Sequence, residues 1–143
     1  MWTLVLRTFI DRKIKINHSI PDSAIYVNGN DLVQDVFDNI LGNALKHNRT
    51  GNDVIDISHN ISDDGKYWKF EFKDRGPGVP DPMKGNIFKR LQRGEESVYG
   101  SGLGLTISRE IVNRFGGDIW VEDRVSGASA EGSNFVVKLF KCD

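Results

Sequence analysis

Cysteine is almost absent from this chain of 143 residues, and the single one, Cys142, stands next to the last position. An internal disulfide is excluded, and with it the class of small secreted scaffolds that depend on such cross-links. Histidine is nearly as scarce, and His18, His47 and His59 are too scattered for a metal-ligand spacing. No apolar run approaches the ~18 residues a membrane-spanning helix requires, and residues 1–6 are too short and wrongly flanked for a signal peptide. These absences predict a soluble piece in a reducing, cytoplasmic setting, compatible with a longer parent protein tethered to a membrane. An excess of charge of one sign is missing too. With 19 Lys and Arg against 20 Asp and Glu the formal net charge is -1, so nothing marks a nucleic-acid or polyanion surface and any phosphate site must be local. Proline is rare and clustered, with Pro77, Pro80 and Pro82 three of only four.

What remains is the composition of one globular domain. At 38% hydrophobic and 27% charged residues the chain can bury a core without metal or disulfide support. Residues 13–18 alternate with period two and predict a strand; 25–27 predict a short second one. Asn30 or Asp31 then offers a cap to the clearest helix in the chain. On a 3.6-residue period Val33, Phe37, Ile40 and Ala44 form one apolar stripe, with Asp35, Asp38 and Gly42 expected on the solvent side and an end at residues 49–52. Residues 54–58 and 68–73 alternate around a turn at 62–66 and predict an antiparallel hairpin. Residues 74–82 hold two glycines and three prolines and must form a shaped loop. A weakly patterned connection from 83 to 99 leads to Gly100-Ser101-Gly102-Leu103-Gly104-Leu105, an apolar helix from Leu105, a stop at Gly116-Gly117, and strands at 118–122 and 134–140 around a turn at 126–133. This order predicts an α+β fold, a two-layer α/β sandwich with helices on one face of a mixed, mostly antiparallel sheet. Residues 1–12 read as a linker remnant and 13–143 as the folded domain.

Three segments bear on chemistry. At 100° per residue Asn39, Asn43 and Lys46 share a helix stripe roughly 60° wide beside the core stripe, with His47 between the two. Two readings stay open for it: a solvated, amide-rich edge, or a face in which amide oxygens meet Mg²⁺ and Lys46 meets phosphate. Asp74-Arg75-Gly76-Pro77-Gly78 closes a strand, where an aspartate can accept a hydrogen bond from an exocyclic amine such as that of adenine; a plain turn is the alternative. The glycine run precedes a helix N-terminus, which favours phosphate, yet it is neither a P-loop nor a dinucleotide fingerprint.

Taken in order, Asn-x-x-x-Asn-Ala-x-Lys, Asp-x-Gly-x-Gly, Ile-Phe-Lys-Arg-Leu and Gly-x-Gly-Leu-Gly-Leu closely resemble the N, G1, F and G2 boxes of the histidine kinase ATP-binding domain. That domain belongs to the gyrase/Hsp90/histidine kinase/MutL superfamily, and the likeness covers about residues 13–141. The resemblance implies a Bergerat ATP-binding fold with a mobile lid at residues ~83–101, and ATP with Mg²⁺ as ligands. It implies that Asn43 coordinates the metal, that Asn39 is the polar residue one turn before it, that Lys46 contacts phosphate, and that His47 takes the place of a ring beside the nucleotide. Asn39, Asn43 and Lys46 would be the catalytic set. Asp74 would read adenine, Gly76 and Gly78 would shape its pocket, and Phe88 would anchor the lid. Gly100, Ser101, Gly102, Leu103, Gly104 and Leu105 would hold the triphosphate, with Ser133 also at the ligand.

Departures from the pattern are informative. The superfamily's ATPases carry a glutamate at the position of Asn39, and an amide cannot act as that general base, which favours phosphoryl transfer over hydrolysis. Phe115 stands where the family often has histidine. No His-Glu/Asp-x-x-x-Pro phosphoacceptor box is present, so the acceptor histidine is expected on a separate dimerisation domain, in the parent chain or another protein, with a response regulator downstream and this piece monomeric. A non-catalytic ATP sensor module and an anti-sigma-type serine kinase are the alternatives.

Overall fold

The computed structural model describes residues 15–18, 27, 32–47, 54–89 and 103–141. Five strands form one sheet: β1 (Lys15–His18), β2 (Val54–Ile61), β3 (Tyr67–Lys73), β4 (Asp118–Val125) and β5 (Ala128–Phe140), in the order β1-β2-β3-β5-β4. β1 runs parallel to β2, a pairing that needs a crossover connection, and α1 (Leu32–His47) lies between them in the chain. All other pairings are antiparallel. The second helix, α2 (Leu103–Arg114), lies against α1 and reaches β4 and β5. The fold is therefore the α+β two-layer sandwich expected. Among the described residues no helix is long and apolar enough to cross a membrane.

Alternation along the strands decides which face the helices cover. Ile55 and Ile57 of β2, Phe70 and Phe72 of β3, Ile119 and Val121 of β4, and Phe135, Val137 and Leu139 of β5 all turn to one side and are buried. Onto them α1 lowers Val33, Val36, Phe37, Ile40, Leu41 and Ala44, a stripe wider than the four positions the sequence marked. Phe37 is its centre, meeting Phe70 edge-on with ring centroids 5.3 Å apart and lying 5.6 Å from Phe72. Full burial of rings of this size stabilises by roughly 2–3 kcal/mol each, far more than any exposed contact of the helix. Asp35 is exposed as expected, but Asp38 is half-buried, and burial together with the neighbouring Asp35 charge pushes its carboxyl above its ordinary pKa. A solvent side centred on both aspartates is thus corrected: the widened core stripe draws Asp38 to its border.

Other boundaries also move. Of the strand predicted at 25–27 only Val27 is among the described residues, and it forms a bridge to Lys141. The hairpin of β2 and β3 turns at residues 62–66 as expected, held by Ser62 Oγ and Asp64 Oδ1, which accept from the Tyr67 and Lys66 amides. The turn placed at 126–133, in contrast, is short, because Ser126-Gly127 suffices and β5 begins at Ala128. Between Asp123 and Val125 the register slips, so residues 129–132 bulge from the β4 pairing before Ser133 resumes it opposite Asp123. That bulge leans on the loop after β3, with consequences for the site below. The expected helix end at 49–52 lies outside the described residues.

The connection after the loop is better ordered at its start than its composition suggested. Residues 81–83 form a 3₁₀ turn, and Ile87 and Phe88 are buried, Phe88 edge-on to Phe135 at 6.2 Å. Lys84 pairs with Asp81 and, at 2.6 Å, with Asp123 of β4. Residues 83–89, expected as the start of a lid, are accordingly fastened to the core and to β4. The remainder of that segment lies outside the described residues.

Candidate nucleotide-binding site

Asp74 is one of the few buried polar side chains among the described residues. It follows the last residue of β3, and its amide donates to Ser133 O at 2.9 Å, carrying the β3–β5 ladder one step further. The Ser133 amide answers by donating to Asp74 Oδ1 at 3.1 Å, and the Gly76 amide donates to the same oxygen at 3.0 Å. One carboxylate oxygen is thereby fixed by two backbone donors, and the second is left as an acceptor. The side chain is only 6% exposed. Burial pushes its pKa above the ordinary value, against the opposing pull of the Gly76 and Ser133 amides and the Arg124 charge. An oriented, desolvated acceptor of this kind has the chemistry to read one N–H donor of a ligand.

The backbone around Asp74 is equally specific. Gly132, in the bulge of β5, sits so close that a β-carbon there would lie 2.1 Å from Asp74 O. Gly78 has a φ of 75° and would set a β-carbon 1.5 Å from Ser129 O. The bulge of β5 and the loop after β3 are thus pressed backbone to backbone, which is how Ser133 comes to hold Asp74. The sequence assigns Gly76, Gly78 and Ser133 to the site; Gly132, part of the Gly132-Ser133-Asn134-Phe135 stretch that shares the family resemblance, receives no role from it.

A second cluster joins the helices. Asn39 Nδ2 donates to Gly104 O at 3.3 Å and to Ser108 Oγ at 3.1 Å. Asn39 and Gly104, 65 positions apart in the chain, are therefore neighbours, and the edge of α1 that carries Asn39 faces the first turn of α2. The helix begins at Leu103, two residues before the start read from the sequence, so Gly104 is a first-turn residue whose amide has no partner within the helix. Leu105, expected with the glycines at the triphosphate, is 3% exposed and its side chain belongs to the core. Asn43 is half-buried one turn beyond Asn39. The side chains of Lys46, His47 and Leu103, and all of Gly100, Ser101 and Gly102, lie outside the described residues.

The donor set bears on the metal as well. Among the described residues no group of three or more His, Cys, Asp or Glu side chains could hold an ion. Mg²⁺ brought by a nucleotide typically needs only one or two protein oxygens besides phosphate and water, and the amide oxygen of Asn43 is such a donor. The residues present fit a metal that arrives with its ligand.

Comparison with known proteins turns these clusters into a family. Residues 28–142 match the model of the Histidine kinase-, DNA gyrase B-, and HSP90-like ATPase family, a span that includes Asn39, Asp74, Gly104 and Ser133. The chain belongs to that family. Its relatives include the sensor histidine kinase WalK of Bacillus subtilis (strain 168), 32% identical over an alignment of 117 residues that covers 78% of this chain and 19% of WalK. Another is the adaptive-response sensory kinase SasA of Gloeothece citriformis (strain PCC 7424), 30% identical over 139 residues, 93% of this chain and 34% of SasA. The chain thus spans between a fifth and a third of the length of these relatives. Among solved structures, the mycobacterial sensor histidine kinase MprB superposes with a TM-score of 0.77 at 24% identity, covering 98% of this chain and 89% of that one. Full-length ShkA in complex with AMPPNP gives the same score at 22% identity, covering 99% and 28%. At such identities the superpositions speak for the fold.

One expected outcome follows from the family's helix start. A β-carbon on Gly104 would meet nothing closer than Asn39 Cγ at 3.6 Å, an ordinary contact, so Gly104→Ala is tolerated by the fold. Replacing a helical glycine by alanine stabilises by up to about 1 kcal/mol. Melting temperature should hold or rise in Gly104→Ala while affinity for ADP falls, read by thermal denaturation and titration calorimetry; equal affinity would place the ligand away from this turn.

Proposed function

We propose that this chain is the ATP-binding catalytic domain of a sensor histidine kinase, transferring the γ-phosphate of ATP to a histidine on a separate dimerisation and phosphoacceptor domain. The observation that carries the nucleotide reading is Asp74, buried, with one oxygen held by the Gly76 and Ser133 amides and the other available to an exocyclic amine. In this reading adenine lies against Asp74, Gly76 and Gly78, and the triphosphate lies along the edge of α1 that bears Asn39, Asn43 and Lys46 and against the start of α2. Asn43 holds the Mg²⁺, which neutralises phosphate charge. His47 borders the nucleotide, and residues 100–104 enclose the phosphates. Transfer is favoured over hydrolysis because Asn39 can accept a hydrogen bond but cannot remove a proton from water. What the chain supplies is position and charge neutralisation.

The relatives' names support the kinase reading, and their greater length supports an acceptor domain elsewhere in a parent protein, with a response regulator as the next recipient of phosphate. ATP as substrate supports a cytoplasmic setting for the domain. Alone, the piece is a monomer. Titration calorimetry with ADP and with ATP in the presence of Mg²⁺ tests the nucleotide reading: wild type should bind both in a one-to-one complex, and no heat of binding would overturn it.

A further inference from the structure

Ser108 was not among the residues the sequence marked, and the family alone gives it no task. Its side chain is completely buried in the middle of α2. The hydroxyl donates to Gly104 O, one turn back, at 2.8 Å. With its only proton spent there, Ser108 Oγ offers lone pairs alone to Asn39, and Gly104 O is likewise an acceptor. Both atoms that face the Asn39 amide therefore demand a donor. Only the nitrogen of that amide can answer, as the contacts at 3.1 Å and 3.3 Å require. The amide oxygen, 3.7 Å from where a β-carbon of Gly104 would stand, takes no part in these two hydrogen bonds.

We infer that Ser108 is a positioning residue: it sets the Asn39 amide so that Nδ2 is spent on helix α2 and Oδ1 is the atom offered to the bound nucleotide. This rests on the reading of the site as nucleotide-binding. An oriented amide oxygen one turn before Asn43 accepts a hydrogen bond from a water held at the phosphates without deprotonating it, so that water is ordered yet not activated. In Ser108→Ala the amide keeps Gly104 O alone as partner, at the longer of the two distances, and is free to turn over. The fold should tolerate this variant, since alanine fills less of the same space and gives up only a back-bond to the helix's own carbonyl and one of the two acceptors of Asn39 Nδ2.

The test uses ¹⁵N-labelled protein and γ-labelled ATP, with the phosphoacceptor helices supplied as a separate polypeptide. In wild type the Asn39 side-chain amide protons should exchange slowly with water, and in Ser108→Ala at least several-fold faster. Transfer should slow roughly 5–20-fold in Ser108→Ala, the size expected for loss of one buried hydrogen bond, with ADP affinity within about twofold of wild type. Asn39→Ala and the double variant should transfer equally slowly, because Ser108 acts only through Asn39. Wild-type exchange and rate in Ser108→Ala, parallel losses of rate and affinity, or additive losses in the double variant would overturn the assignment. A wild type that binds no ADP overturns the nucleotide reading and the role with it, while the exchange of the Asn39 amide still reports separately whether Ser108 orients it.

Discussion

Asp74→Asn should abolish useful nucleotide binding while leaving the fold as stable as before, or more so. The asparagine oxygen can take over the two backbone donors, Gly76 N–H and Ser133 N–H, which now converge on Oδ1. The group that changes is the other oxygen, which becomes an NH₂ and opposes the exocyclic amine of adenine donor to donor. A buried hydrogen bond to a charged group contributes about 1.5–3 kcal/mol, and an unpaired buried donor costs a further 1–3 kcal/mol, so affinity should fall by roughly 10²-fold or more. Stability moves the other way. Because burial raises the folded pKa of Asp74 above its unfolded value, its contribution to stability is full below the ordinary aspartate range and lost as pH rises through the elevated folded pKa. At neutral pH the wild-type fold carries a desolvated charge that asparagine lacks, and the stability difference in favour of Asp74→Asn should grow from acid to neutral pH. ADP affinity of wild type should weaken as pH falls through the same raised pKa, since only the carboxylate is a pure acceptor. Calorimetry and melting curves across pH, run on both proteins, check all three outcomes.

Gly78→Ala should have the opposite profile and unfold the domain. At φ 75° an alanine is strained, and here its β-carbon would also lie 1.5 Å from Ser129 O, a backbone atom that no rotamer change can move. Backbone strain alone costs about 1–3 kcal/mol. Separating the loop from the bulge of β5 adds to this, because Ser133 would lose its hold on Asp74. A total of at least about 4 kcal/mol is expected, equivalent to a fall of 10 °C or more in melting temperature for a domain of this size. Saturating ADP should not restore the wild-type melting temperature. A stable Gly78→Ala that fails only to bind would return this glycine to the simpler role of making room for a base.

These two residues show what was legible before the structure was known. Asp74 and the Asn39–Asn43 edge could be read because their type, order and spacing are local facts: an aspartate after an alternating strand, and two amides one helical turn apart. The apolar periods of α1 and the hairpin were likewise enough to give the two layers. Contacts between segments distant in sequence were not readable. That Gly78 is fixed by Ser129, that Gly132 admits Asp74, and that Ser108 answers Asn39 depend on how β5 bulges and how the helices meet. The turn read at 126–133 failed for a related reason: a Gly-, Ser- and Ala-rich stretch looks like loop, whereas β5 still pairs with β4 at Ala128 and Ser133, on either side of the bulge. That the Leu105 side chain lies in the core was not readable from its place beside the glycines, because the helix start at Leu103 sets its direction.

The sequence alternatives part at a single product. With γ-labelled ATP, Mg²⁺ and the phosphoacceptor helices supplied in trans, label should appear on the acceptor histidine, as a phosphoramidate lost in acid and retained in alkali. ADP binding without transfer to any acceptor, or an acid-stable phosphoester, would contradict the histidine kinase reading.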